Sequence, residues 1–264
     1  MIKIISVILI AVIAFLVHPI VGYAVSVAIL AVFFYSILPV YYSVKGNEAY
    51  NTGNHGDAVK WYEKAMKNKA VSDAQKITYG VLLMKLGNFE KAEKLFSTVI
   101  RNKLAKPEMT LKARQYRVIA YDRLGNFEDS REDAKDILNT YKNSVTYGIM
   151  GYIANCDSTD YDENLKICLE AYDYNPDDRD ICDNLTVAYY NLKMYDEAKE
   201  IAEKVVESSP KFVEGFFHLA QIELALGNKQ SARDAIEKIK DCNRSSLTTV
   251  SEAEIINLTE EANA

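Results

Sequence analysis

The chain has 264 residues, with 31 Lys or Arg against 37 Asp or Glu and a formal net charge of −6. Residues 1–44 hold one charged side chain, Lys3, so 30 basic residues face 37 acidic ones from Lys45 onward, a net charge of −7. An acidic domain has no general attraction for nucleic-acid phosphates, so no nucleic-acid partner is expected.

The apolar segment 1–44 predicts a membrane anchor. A helix rises about 1.5 Å per residue, so roughly 20 residues cross the hydrocarbon layer and the segment is long enough for two passes. The expected break is His18-Pro19, because proline lacks a backbone donor and disfavours helix in the residue before it. We predict a transmembrane helical hairpin with helices at about 2–17 and 20–42. No linker follows, so the second helix is expected to continue into the next domain, with Pro39 near the junction.

Lysines flank this hairpin on one side: Lys3 precedes it, Lys45, Lys60 and Lys64 follow it, and the turn carries none. The positive-inside rule then places the large domain in the cytoplasm of a multi-pass cell-membrane protein. A domain outside the membrane is the alternative, because the charges are few. A cleaved secretory signal is a second alternative, disfavoured because the hydrophobicity continues past residue 17 without an Ala-x-Ala site.

A unit of 34 residues repeats after the anchor. Leu-Gly-Asn occurs at 86–88, 124–126 and 226–228, and small or apolar residues follow each copy at helical spacing. Six units keep one register with a single four-residue insertion, which predicts a stack of helical hairpins. The turn positions that anchor the register are Gly53, Gly87, Gly125, Thr159, Lys193 and Gly227.

Each unit has apolar residues at helical spacing on both sides of its turn position. Glycine there ends the first helix in the left-handed conformation. Alanines such as Ala92 and Ala198 let the two helices approach, and aromatic residues such as Phe127 and Tyr161 are expected to plug the top of the pair.

The pattern resembles the tetratricopeptide repeat (TPR) family, best over 46–65, 80–99 and 185–210, and the resemblance covers about 42–241. The unit 147–176 departs most, with Asn-Cys-Asp-Ser-Thr-Asp where the glycine turn belongs. The resemblance implies an all-α, TPR-type α-solenoid of about six hairpins, whose first helices line a concave, protein-binding face. The predicted domains are the hairpin 1–44, the solenoid 45–241, and an acidic capping helix or a frayed tail over 242–264.

The sequence offers no motif for chemistry. The four cysteines form no CxxC pair, and His18, His55 and His218 are isolated. The acidic run 157–164 lacks the glycine and closing glutamate of an EF-hand. We therefore predict no catalytic, cofactor-binding or metal-binding residue, no cofactor and no enzymatic activity. An enzyme built on scattered residues is the least favoured alternative.

The predicted binding site lies on the first helices. The TPR subgroup that grips acidic chaperone tails uses lysines and asparagines where this chain has Ser43 and Thr78, so that specificity is rejected. An apolar strip rimmed by basic residues suits an extended or helical segment with aliphatic anchors and a few acidic residues. Some of these side chains could instead pack between repeats. The predicted residues are Asn47, Tyr50, Ile77, Val81, Met84, Lys85, Lys112, Tyr116, Ile119, Arg123 and Ile153.

These features together predict a membrane-anchored scaffold or adaptor that binds a protein or peptide partner at the cytoplasmic face. The alternative function is an accessory factor for envelope assembly or secretion, with the repeats outside the membrane.

Overall fold

The computed structural model describes residues 11–157, 160–244 and 247–264, which form helices and turns without a β-strand. They fall into two compact units, Met1–Tyr79 and Gly80–Ala264. Residues 11–17 are helical. The helices that follow are α1 (Pro19–Asn51), α2 (His55–Met66), α3 (Asp73–Lys85), α4 (Phe89–Ile100), α5 (Pro107–Arg123), α6 (Phe127–Thr140), α7 (Ser144–Asp157), α8 (Tyr161–Tyr174), α9 (Arg179–Asn191), α10 (Tyr195–Ser208), α11 (Val213–Ala225), α12 (Lys229–Ile239) and α13 (Glu252–Asn263).

The apolar segment breaks at the predicted proline. His18 is extended, with φ −166°, and its side chain accepts a hydrogen bond from the backbone N–H of Ile20, while Pro19 opens α1. The predicted first helix begins outside the described residues. Among the residues that are described, α1 alone is long and apolar enough to cross a membrane, and 6% of its apolar window is buried. The predicted pair of spanning helices is therefore not shown.

Helix α1 continues without interruption through the predicted domain boundary at residue 44, although it contains Pro39. Proline has no N–H to donate to the carbonyl of residue i−4, which here is Tyr35. The buried side chain of Asn68 replaces that donor, with Asn68 Nδ2 lying 2.8 Å from Tyr35 O. Ser43 Oγ donates to Pro39 O at 2.8 Å and accepts from Gln75 Nε2 at 3.2 Å. The loop after α2 thus satisfies the backbone group that proline leaves unpaired.

The end of α1 and α2 form the first hairpin. Tyr62 is fully buried, and a Cβ added to Gly46 would lie 2.5 Å from its ring, so the close approach requires glycine. The Tyr62 hydroxyl donates to Asn47 Oδ1 at 2.7 Å, and its ring stacks on Tyr79 at 5.0 Å. The sequence predicted both this hairpin and its register.

The repeat register is visible in the backbone. In the described part of the chain, four glycines have a positive φ, and all four occupy predicted turn positions. The single non-glycine residue with a positive φ there, Lys193 (φ 60°), also occupies one. The remaining turn position, Thr159, lies outside the described residues. The predicted alanines Ala92 and Ala198 are fully buried. The predicted aromatic plugs hold in part. Phe127 and Tyr161 are 47% and 43% exposed, so for them the prediction is wrong. The corresponding Phe89 and Tyr195 are half-buried, and Tyr195 packs against Ala198 and Ala202.

Within the second unit, the hairpins are closer together on one side. The first helices α5, α7, α9 and α11 each contact the next first helix in this order. Among the described residues, no second helix of this unit (α4, α6, α8, α10, α12) contacts the next second helix. A stack that is tighter on one side curves toward that side, so the first helices line its inner face. Of the two alternatives for the C-terminus, the structure has an ordered helix, α13, which packs on α11 and α12.

An ion-pair cluster joins the hairpin α5–α6. Arg117 binds Asp133 through two nitrogens at 2.8 and 2.6 Å, and Arg114 binds the same carboxylate at 3.0 Å. Arg114 also pairs with Asp136. The Asp133 side chain is 10% exposed and that of Asp136 is 59% exposed, so the two carboxylates of α6 differ sharply in burial.

Candidate binding groove

Three predicted site residues are buried and unavailable to a ligand. Ile77, Met84 and Ile153 are 6%, 1% and 3% exposed. Ile153 packs in a cluster with Val118 and Met150. Their placement on an open face is wrong, because a helix in a stack packs against its own hairpin and also against the next one. The alternative that some predicted residues pack between repeats holds for these three.

The first unit holds two other predicted site residues. Asn47 is exposed, and its Oδ1 accepts the hydrogen bond from Tyr62. Tyr50 is half-buried, and its ring stacks on that of His55 with centroids 5.1 Å apart. Both side chains already have partners within the first hairpin.

The second unit holds the remaining predicted residues. Lys85 and Lys112 are exposed, while Val81 and Ile119 are half-buried. Tyr116 is half-buried and stacks on Phe96, with ring centroids 5.7 Å apart. Of the predicted apolar strip, Val81, Tyr116 and Ile119 keep exposed surface, which is less than the sequence suggested.

A chain of polar side chains, which we name the inner seam, joins successive first helices. Tyr152 of α7 donates to Asp122 Oδ2 of α5 at 2.8 Å. Asn184 of α9 donates to Gly148 O of α7 at 2.8 Å, and Asn155 of α7 donates to Asn184 O at 2.8 Å. His218 Nδ1 of α11 lies 2.8 Å from Asp183 Oδ1 of α9. The inner seam consists of Asp122, Tyr152, Asn155, Asp183, Asn184 and His218.

The seam depends on small residues in α7. A Cβ added to Gly151 would lie 3.1 Å from Asn184 Nδ2, tighter than ordinary van der Waals contact. Glycine therefore lets α9 approach closely enough for Asn184 to reach the α7 backbone.

Burial shapes the electrostatics of the seam. Burial raises the pKa of Tyr152, and the nearby Asp122 carboxylate adds to that effect, so the phenol stays protonated and donates. Burial alone would lower the pKa of His218, but the charge and hydrogen bond of Asp183 outweigh it, and Glu214 and Glu254 act in the same direction. The pKa of His218 is therefore raised, which favours an imidazolium that donates to Asp183.

Two buried atoms of the inner face have no hydrogen-bond partner among the described residues: Arg123 Nε and Asn155 Oδ1. One is a charged donor and the other a neutral acceptor. Unpaired buried polar atoms are rare in folded proteins, and an ordered water is a common partner for them.

A C-terminal segment bridges the inner face. We name residues 247–250 the strap. Arg123 Nη2 of α5 donates to Leu247 O at 2.7 Å, and the backbone N–H of Thr249 donates to Glu214 Oε1 of α11 at 2.8 Å. The Thr249 hydroxyl lies 3.2 Å from the same carboxylate oxygen. Val250 is buried in the cluster that holds α13 on α11 and α12. The strap thus links the first helices of two hairpins that are not neighbours in the stack.

Among these residues, only Arg123 belongs to the predicted binding site. His218 is isolated in the sequence, and Asp122, Tyr152, Asn155, Asp183, Asn184, Glu214 and the strap are not among the predicted residues.

Comparison with known proteins identifies the repeats. Tetratricopeptide repeat family models match residues 40–71 and 185–246. The first match contains the end of α1 and all of α2, and the second begins in α9 and extends past α12. Among curated proteins, none matches the chain.

Several solved structures share the fold. A tetratricopeptide repeat protein from Parabacteroides merdae has a TM-score of 0.71 and 20% identity, over 86% of this chain and 85% of its own. A thermophilic TPR protein from Thermus thermophilus has a TM-score of 0.59 and 15% identity, over 73% of this chain and 99% of its own. A chain of the APC/C hetero-tetramer Cut9–Hcn1 has a TM-score of 0.66 and 14% identity, over 86% of this chain and 43% of its own.

These likenesses agree with the alternating helices, the glycine turns and the inner first helices described above. The chain therefore carries tetratricopeptide repeats within an all-helical, TPR-like fold.

Proposed function

We propose that this chain is a membrane-anchored scaffold that binds an extended segment of a partner protein in the groove of its second unit, at the cytoplasmic face of the membrane. The observation that carries the proposal is the inner face of the second unit, where Val81, Tyr116 and Ile119 keep exposed surface and Lys85 and Lys112 are exposed. TPR proteins generally act as protein-interaction scaffolds. We assign this chain no catalytic activity of its own.

The chemistry of the groove favours contacts to a peptide backbone. The Arg123 guanidinium already holds one backbone carbonyl, Leu247 O, through Nη2 at 2.7 Å, and a partner backbone offers the same group. The seam also contains Asp122 and Asp183, so a strongly acidic segment would meet like charge. We therefore expect an extended segment with apolar side chains and little negative charge, whose apolar groups contact Val81, Tyr116 or Ile119.

The exposed surface of α1 supports the anchor. Its apolar residues from Ile20 to Phe34 are largely exposed, which is costly in water and favourable in lipid. The polar loop after α2 contacts the next residue, Tyr35, so the lipid-facing surface ends there. Farther along α1, the ring of Trp61 in α2 stacks on Tyr42 at 5.9 Å, and Lys64 Nζ lies 4.2 Å from the Trp61 ring. Tryptophan, tyrosine and lysine are typical of the membrane–water interface.

Partner capture tests the groove. The full chain in detergent, the inner-face variant Arg123→Glu and the exposed control Lys135→Glu on α6 would each be used to retrieve partners. We expect one set of proteins to be retained by the wild type and the control and lost with Arg123→Glu. Equal retention by all three chains contradicts the assignment of the groove.

Thiol labelling in intact cells tests the sidedness. Cys156 is exposed, Cys242 is half-buried, and Cys168 and Cys182 are buried. A variant that keeps Cys156 alone should resist a membrane-impermeant maleimide until the cells are permeabilised. Labelling before permeabilisation supports the alternative, an envelope-assembly or secretion factor with its repeats outside.

A further inference from the structure

The strap is held through its backbone at both ends of its path across the groove. Arg123 contacts the carbonyl of Leu247, and Glu214 contacts the N–H of Thr249. Every extended peptide presents such groups, so the two grips do not depend on the side chains of the strap. The partners are 124 and 35 residues away in sequence, so the contacts are tertiary and not part of a local turn.

We propose that the strap occupies the site at which the partner binds. The clamp formed by Arg123 and Glu214 binds an extended, uncharged peptide in which an apolar residue is followed two positions later by Thr or Ser. This inference rests on the proposed function and adds a regulatory step. The strap occupies the clamp in the free protein, and the partner segment must displace it.

The chemical class of the ligand follows from the strap. Its residues are Leu-Thr-Thr-Val, without a charge. The Thr249 hydroxyl lies 3.2 Å from Glu214 Oε1, a contact that an acidic side chain would turn into repulsion. Leu247 is half-buried and lines the same surface pocket as Phe212, which offers apolar surface next to the clamp.

The strap is also a suboptimal occupant. Arg123 uses Nη2 on Leu247 O, while its buried Nε has no partner in the described part of the chain. A carbonyl oriented toward both nitrogens, or a second carbonyl at Nε, would add a charge-assisted hydrogen bond that the strap does not make. A partner segment can therefore compete with the tethered strap.

Displacement does not require the fold to open. Val250 is buried in the α11–α13 cluster, and the capping box between Ser251 and Glu254 fixes the start of α13. Leu247 is half-buried and Thr249 is exposed. Residues 247–249 can leave the clamp while Val250 and α13 stay in place.

The test is a peptide added in trans. A fluorescein-labelled peptide of residues 245–251, which has no charged side chain, would be titrated into the full chain in detergent micelles, with anisotropy as the readout. The proteins are the wild type, a strap variant (Leu247→Gly, Thr248→Gly, Thr249→Gly), and the strap variant carrying Arg123→Gln. A peptide with Asp in place of the leucine and of the second threonine is the control.

We expect the strap variant to bind the peptide about tenfold more tightly than the wild type, because removing a competing occupant raises the fraction of competent protein. Adding Arg123→Gln should weaken binding about tenfold, the equivalent of one charge-assisted hydrogen bond. The acidic peptide should not bind. If circular dichroism shows the triple variant to be unfolded, Thr249→Pro, which removes both the N–H and the hydroxyl that contact Glu214, replaces it.

Equal affinities for wild type and strap variant, or binding insensitive to Arg123→Gln, overturn the inference. Failure of the strap inference is distinguishable from failure of the proposed function. If the peptide binds none of the three proteins while partner capture still depends on Arg123, the groove binds a partner but the strap does not mimic that partner. If capture is independent of Arg123, the proposed function fails whatever the peptide does.

Discussion

Replacement of Asn68 by alanine should destabilise the junction between α1 and α2 because of a proline 29 residues earlier in the chain. Pro39 leaves Tyr35 O without its helical donor, and Asn68 Nδ2 fills that place at 2.8 Å. Asn68 Oδ1 also accepts from Ala70 N at 2.8 Å. An unsatisfied buried carbonyl costs about 1–3 kcal/mol, and the loss of an ordinary hydrogen bond near the surface adds about 0.5–1 kcal/mol. We expect a total of about 1.5–4 kcal/mol.

A double-mutant cycle separates the two contributions. Pro39→Ala restores the N–H that pairs with Tyr35 O, so Asn68→Ala in that background should lose only the Ala70 bond and cost about 0.5–1 kcal/mol. The coupling between positions 39 and 68 is then about 1–3 kcal/mol. Lys69→Ala is the matched control, because the Lys69 side chain is exposed and its backbone N–H, which contacts the Tyr35 hydroxyl, is kept.

Amide hydrogen exchange of the full chain in micelles, followed by mass spectrometry, gives the opening free energy of α1 and α2. Exchange should accelerate over these helices with Asn68→Ala, and much less with Pro39→Ala also present. An equal cost of Asn68→Ala in both backgrounds would refute the role of the proline-freed carbonyl.

Three further predictions concern other parts of the chain. Trp61 is the only tryptophan, so its emission should be quenched by lipids brominated near the headgroup when the protein floats with liposomes; flotation without quenching contradicts an interfacial position. Because the pKa of His218 is raised above its ordinary 6.5, the His218–Asp183 pair stabilises the fold fully below pH 6.5 and less as the pH rises through the raised value. The drop in Tm caused by His218→Gln should therefore be largest at acidic pH and smaller at alkaline pH. A drop in Tm that does not depend on pH contradicts the raised pKa of His218. Asp133→Ala leaves two arginines without their buried carboxylate and should cost about 1–3 kcal/mol in urea unfolding, against less than about 1 kcal/mol for the exposed Asp136→Ala; equal costs contradict the ranking.

The turns were predictable from sequence because they obey a local rule. Glycine at a left-handed position needs no tertiary information, and a fixed period then locates the same position even where lysine replaces glycine, as at Lys193. The continuity of α1 was also predictable, because the sequence has no linker before the first repeat. The number of membrane passes stays a prediction, because about half of the predicted first helix lies outside the described residues.

The binding face was less predictable, for a geometric reason. A first helix inside the stack, such as α7, contacts the helices before and after it and the first helices on both sides. Helical periodicity therefore cannot tell an apolar residue that faces the next hairpin from one that faces solvent. Ile153 illustrates this. The inner seam did leave a signal: its hydrogen bonds join residues 29 to 36 positions apart, close to one repeat. A search for polar pairs at that spacing on the first helices would have found it. The contact between Arg123 and Leu247 leaves no such trace, because it depends on the curvature accumulated over several hairpins.

The polar character of the inner face bears on the kind of partnership it supports. An apolar groove left open exposes a patch that favours a permanent partner or aggregation, and obligate interfaces are accordingly the more hydrophobic ones. Here the seam residues make most of their hydrogen bonds to neighbouring first helices. Non-specific contacts would therefore stabilise this face little. Within the described residues of the inner face, the buried atoms without a hydrogen-bond partner are Arg123 Nε and Asn155 Oδ1, and the strap already uses the other end of the Arg123 guanidinium. A face that is stable when empty, with a clamp held by the chain itself, suits a partner that binds and leaves.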